Sequence, residues 1–92
     1  MITASEIKEE LLRNAIPEKK AILSSFFKTG KGQYGEGDKF IGVSVETQRS
    51  LLKRVKSIEL SEIEILIADE YHECRLTALL LLVAMYKKAK PD

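Results

Sequence analysis

At 92 residues, 45% hydrophobic and 32% charged, the chain is long enough for one small packed domain and too short for two. One cysteine excludes an internal disulfide framework and fits a reducing compartment, while a net charge of +1 says nothing by itself about nucleic acid. The longest apolar run, Leu76 to Tyr86, is about 11 residues against the ~20 needed to cross a bilayer, and the Met1–Glu6 start lacks the pattern of a secretory signal, so a soluble cytoplasmic protein is expected.

Thr3 and Glu6 have capping-box spacing, and Ile7, Leu11, Leu12 and Ala15 follow at helical intervals, which predicts a first helix over 4–14. Pro17 suits a first helical position, with Glu18 beside it. The second helix then buries Ile22, Leu23, Phe26 and Phe27 and ends near Lys28. All five glycines fall between Gly30 and Gly42, in the one irregular stretch too long for a plain helix connection. Lys39 to Val45 is expected to form at most a short extended piece. Ser44 can cap a third helix that turns Leu51, Leu52 and Val55 inward and leaves Arg49, Lys53, Arg54 and Lys56 in water. Ser61 with Glu64 reads as a second capping box, opening a short fourth helix with Ile63, Leu66 and Ile67 buried. A fifth helix begins near Tyr71 or His72 and runs to about Lys88. Asp69, Glu70 and Glu73 lie at its start and Lys87, Lys88 and Lys90 at its end, as the macrodipole prefers.

The expected fold class is all-α, antiparallel helix pairs with short turns. The fifth helix is apolar nearly all round, so it must be covered on several sides. Four shorter helices leave one of its flanks open, for a further repeat of a longer array or for self-association through the exposed face of 72–88.

Several motifs fail their context tests. Gly30-Lys-Gly-Gln-Tyr-Gly35 matches the dinucleotide fingerprint, but a helix precedes it and more loop follows. Ser50-Leu-Leu-Lys53 and Lys28-Thr-Gly30 mimic two elements of penicillin-recognising enzymes in reversed order, without the third. His72-Glu73 begins a zinc-protease motif that no second histidine completes, and a lone His72 beside a lone Cys74 falls short of a metal site. His72 reads as a polar first-turn residue and Cys74 as a small apolar filler. No catalytic residue, metal or cofactor is expected.

Charge is unevenly spread: residues 1–18 carry −2, residues 19–56 carry +6, residues 57–75 carry −5 and the remainder +2. Lys28, Lys31, Lys39, Arg49, Lys53 and Arg54 gather around the glycine-rich loop and the start of the third helix. Glycines allow close approach to a phosphate, a helix N-terminus attracts it, and Arg49 can add a forked contact. Tyr34, at the loop tip, can stack on a base. The same residues also fit turn-making glycines and solubilising lysines, and composition leaves both readings open.

The run Phe26 to Arg54, with Glu73 to Lys88 behind it, resembles the N-terminal part of the DNA alkylation repair proteins of the AlkD type. That resemblance implies HEAT-like helix pairs curving into a cationic groove for duplex DNA and, in several members, glycosylase removal of N3- or N7-alkylated purines. Phe40-Ile41-Gly42-Val43, leading into Ser44 to Arg54, matches the family's segment before its basic helix. By position, Phe26 and Ser44 fall where members place a tyrosine and a polar side chain facing DNA, and Arg49 on a basic position. Phe26 lacks the hydroxyl, and Glu46 stands where proline is common. The family's catalytic aspartate and tryptophans come from later repeats. This chain has no tryptophan, and Asp38, Asp69 and Asp92 match no catalytic motif. The resemblance thus implies the N-terminal scaffold and backbone-binding part of a longer protein whose partner is alkylated double-stranded DNA. The candidate DNA-binding residues are Phe26, Lys28, Lys31, Tyr34, Lys39, Ser44, Arg49, Lys53 and Arg54. The alternative is a non-enzymatic HEAT-like module binding DNA structure or a protein.

Overall fold

The computed structural model describes residues 2–26 and 39–89. They form five helices, α1 (Ala4–Arg13), α2 (Pro17–Phe26), α3 (Val45–Leu52), α4 (Leu60–Ile67) and α5 (His72–Ala89), with no strand among the described residues. The all-α expectation holds, with the helices close to where periodicity placed them.

Helix α1 starts with a complete capping box. Thr3 Oγ1 accepts from the Glu6 amide at 3.2 Å, and Glu6 Oε1 accepts from the Thr3 amide at 3.1 Å. Its buried stripe is Ala4, Ile7 and Leu11. Leu12 is 44% exposed and Ala15 is also exposed, so the inward face is narrower than the sequence suggests.

The capping box expected at Ser61 does not form. Helix α4 begins at Leu60, its N-cap is Glu59, and no side chain caps it. This start keeps Ile63 and Leu66 on the core side and frees Glu62 for another task, accepting the Ala4 amide of α1 at 2.8 Å. Ile67, expected inside, is 41% exposed, because the core takes only the 63/66 edge of this two-turn helix.

The core lies where α1, α4 and α5 meet, built from Ala4, Ile7, Leu11, Ile63, Leu66, Cys74, Ala78 and Leu81. Ile41 and Val43 complete it from the segment before α3, and Leu51, Leu52 and Val55 pack on its edge as predicted. Helix α5 is the hub: it packs most extensively on α4 and also meets α3 and α1. Small residues on its inner face, Cys74, Thr77 and Ala78, permit close helix approach.

Among the described residues, helix α2 makes little contact with the other helices. Ile22 is 66% exposed and Leu23 only half-buried, so the burial predicted for these two is not found, while that of the Phe26 side chain lies outside the described residues. A groove of about 400 Å³ separates the Ile22–Leu23 side of α2 from Val45 on α3 and Leu76 on α5. The expected burial of Phe27 and the helix end near Lys28 lie outside the described residues. On α5 the open flank is present: Leu79, Val83, Met85 and Tyr86 are exposed, at 54%, 51%, 38% and 66%.

Two charged contacts fasten the start of α5 to α1. Lys8 Nζ lies 2.9 Å from Asp69 and 5.3 Å from the centre of the Tyr71 ring. The Asp69 carboxylate also accepts the Tyr71 amide at 2.9 Å. Burial alone would raise its pKa, but the Tyr71 amide and the Lys8 ammonium outweigh that and hold it below the usual carboxylate value. Cys74, fully buried beside this group, has its thiol pushed up to about 12, first by burial and then by the Asp69 charge. The filler role read from the sequence is what the structure shows. Cys74 is accordingly expected to resist thiol reagents at neutral pH in the native protein and to react at once in denaturant. Stoichiometric labelling of the folded chain would contradict this packing.

Candidate nucleic-acid interface

Residues 39–44 form an irregular segment that leads from the start of α5 to the N-terminus of α3. The segment begins on α5, where Lys39 bridges Tyr71 in parallel and the His72 amide donates to the Lys39 carbonyl at 2.8 Å. The Phe40 ring is buried and lies 4.8 Å, centre to centre, from the His72 ring. His72 is thus a packing residue of the first helical turn, as read from the sequence.

Three consecutive amides then meet one carboxylate. Glu73 Oε1 accepts from Ile41 N at 2.9 Å, and Oε2 accepts from Gly42 N at 2.8 Å and Val43 N at 3.1 Å. Glu73 is 1% exposed and has no cation beside it among the described residues. Burying a carboxylate is costly unless donors replace its water, and here backbone amides do so.

Gly42 makes the turn possible. Its φ of +98° is strained for any residue with a side chain, and a Cβ there would lie 2.5 Å from the Ile16 carbonyl oxygen. Its own carbonyl accepts the Ile16 amide at 3.0 Å, which ties the entry of α2 to the same segment. A second buried chain continues the hold: Gln48 Nε2 donates to the Val43 carbonyl at 3.3 Å, and Thr77 Oγ1 donates to Gln48 Oε1 at 2.9 Å.

This anchoring delivers Ser44 to the N-cap of α3, where its hydroxyl accepts the Thr47 amide at 3.2 Å and donates to Thr47 Oγ1 at 3.0 Å. The capping role expected of Ser44 is present. Further along, Arg49 in the last turn of α3 and Lys53 at its C-cap stand one turn apart and exposed, without ion-pair partners among the described residues. Glu46 occupies the first turn, so the helix terminus already has one negative charge close by.

The other candidates are placed differently. Arg54 turns to α1 and lies 3.6 Å from Glu10, a carboxylate that also pairs with Arg13. Lys39 lies 3.3 Å from Glu70. Phe26 closes α2, but its side chain, with Lys28, Lys31 and Tyr34, lies outside the described residues. One cation was missed by the sequence reading: Lys19 of α2 lines the groove together with Ser44 and Val45 at the head of α3. The buried trio Glu73, Gln48 and Thr77 was missed as well. Its signal was present, since all three are polar residues at positions whose neighbours in helical register face the core.

Among the described residues no group of three or more His, Cys, Asp or Glu side chains could hold a metal ion, and no helix is long and apolar enough to cross a membrane. The surface presents a helix N-terminus anchored through Glu73, with two exposed cations toward the other end of the same helix. No curated protein and no solved structure matches the chain. A family profile described as DNA alkylation repair enzyme matches residues 7–92, spanning Gly42, α3 and all of α5. The chain belongs to the DNA alkylation repair enzyme family.

Proposed function

We propose that this chain contributes the N-terminal, backbone-binding face of a HEAT-like DNA glycosylase that removes N3- or N7-alkylated purines. The observation that carries the reading is the Ser44-capped helix α3, with Arg49 exposed one turn on from its start, Lys53 exposed at its C-cap and Lys19 across the groove. A phosphate at that terminus gains from the helix dipole and from a forked Arg49 contact, neither of which reads sequence. Ser44, Arg49 and Lys53 form the centre of this face. Lys39 and Arg54 extend it after release from Glu70 and Glu10, and Phe26, Lys28, Lys31 and Tyr34 are further candidates whose side chains lie outside the described residues.

Glycosidic cleavage needs stabilisation of an electron-poor sugar as the alkylated base departs. The resemblance assigns that task to an aspartate and tryptophans from later repeats, which these residues do not supply. The 92-residue chain is expected to release no 3-methyladenine or 7-methylguanine from methylated duplex DNA, and base release by this chain would overturn the division of labour.

A second reading, a non-enzymatic module that docks a protein, is favoured by one observation. His72, Leu76, Leu79, Val83 and Tyr86 follow a 4-3-4-3 spacing opposite the core side of α5, the pattern of a helix-docking seam. A further repeat, a second copy or a separate partner can cover it.

Salt separates the two modes of binding. Duplex affinity of the chain is expected to fall steeply with salt, and Arg49→Glu with Lys53→Glu to lower the slope of log affinity against log salt by about 2. Unchanged affinity in that double variant would remove the proposed face, whereas salt-insensitive binding would favour apolar docking. Glu46→Gln is expected to tighten duplex binding roughly twofold to fivefold by withdrawing a competing charge from the first turn, read from the same fluorescence titration.

A further inference from the structure

We propose that Glu73 is a positioning residue for DNA binding: its buried carboxylate sets the head of α3 in the pose that lets the helix terminus and Arg49 engage a phosphate together. The inference rests on the DNA-binding reading above and names the group on which that surface depends.

Glu73 belongs to α5 and is 1% exposed, at the floor of the groove that Lys19 and Ser44 also line. Its influence reaches α3 through backbone alone. The amides of Ile41, Gly42 and Val43 are fixed at 2.9, 2.8 and 3.1 Å, and the next residue is Ser44, the N-cap. No spare residue separates the last clamped amide from the cap, so a shift of the clamp is transmitted directly to the helix terminus. Gln48 adds a second attachment, from inside α3 to the Val43 carbonyl, and Thr77 holds Gln48 from α5. The face of α3 that carries Arg49 and Lys53 is therefore indexed to α5 by two buried polar links rather than by apolar packing alone.

Apolar contacts tolerate sliding, whereas three amides converging on two oxygens fix both distance and rotation. Phosphate binding at a helix terminus needs that kind of fixing, because backbone donors cannot adapt as a lysine side chain does. The arrangement also explains why an acid sits within the inner face of an otherwise apolar helix.

Glu73→Gln tests the assignment. The glutamine oxygen can replace Oε2 and keep the Gly42 and Val43 amides, but its NH₂ then opposes the Ile41 amide, donor against donor. The variant is measured in the full 92-residue chain with a short labelled duplex, well below its unfolding temperature, across a salt series. Leu66→Ala, a core change in α4 away from the clamp, serves as a control for lost stability. The expected result is at least tenfold weaker duplex binding and a salt slope reduced by about 1, the loss of one phosphate contact. Leu66→Ala should keep the native slope.

A folded Glu73→Gln chain with native slope and affinity would overturn the inference, as would equal changes in slope from Leu66→Ala. If Glu73→Gln does not fold by circular dichroism, Gln48→Met, which removes the Val43 attachment together with the bond from Thr77 and leaves the three amides on Glu73, is read in the same way, and a native slope there overturns it. Failure of the underlying reading is distinguishable: in that case Arg49→Glu with Lys53→Glu leaves binding intact. If that pair weakens binding and Glu73→Gln does not, only the positioning role falls.

Discussion

A carboxylate taken out of water must be met by donors, and in this protein the donors available to Glu73 are backbone amides. That requirement organises much of what surrounds it. The segment 41–43 has to leave the extended conformation, in which successive N–H groups alternate in direction, so that three of them can converge on one carboxylate. Its middle residue has to be glycine, because the backbone turns to a φ of +98° against the Ile16 carbonyl. Once the amides are committed, the carbonyls need partners, and they find them in the Ile16 amide and the Gln48 side chain. The entry to α2, the start of α3 and the inner face of α5 thus share one hydrogen-bonded junction. Among the described residues no buried side-chain polar atom lacks a partner, so the junction is complete as well as buried.

What could be read from the sequence follows from how local each signal is. The capping box at Thr3 and the cap at Ser44 depend on residues three apart, and both are present. The extent of α5 and its open flank follow from composition over several turns. The misreadings came where a distant contact decided. Ser61 lost the N-cap role to an earlier start that lets Glu62 reach Ala4, 58 residues away in sequence. Ile22 and Ile67 have the periodicity of buried residues, yet the neighbours that periodicity presumes are not packed against them. Glu73 was taken for a dipole-complementing acid because first-turn position is visible locally, whereas its partners are about thirty residues upstream. For the candidate site, the cap and the two exposed cations were legible. The diversion of Arg54 to Glu10 and of Lys39 to Glu70 was not, since an ion pair between separate helices leaves no mark in either segment.

Four of the cations in the basic middle of the chain fall into two groups. Arg54 and Lys39 spend their charge on α1 and on the turn before α5, in exposed pairs that add little stability and are easily exchanged. Arg49 and Lys53 remain available on one helix side, behind a terminus of fixed geometry. Under the proposed function this division has a use: adaptable charges would gather a polyanion from solution, and a rigid terminus would set its register.

The link between Glu62 and the first amide of α1 has a kinetic implication. Contacts between α4 and α5 are near neighbours in sequence, so their hairpin can assemble early at small entropic cost. Helix α1 has no such shortcut. Its start is fastened by Glu62 and by the bridge from Ile2 to Ile58, both requiring closure over most of the chain's length. Assembly of this small domain is therefore expected to proceed from its C-terminal half outward, with the N-terminal rod seated last.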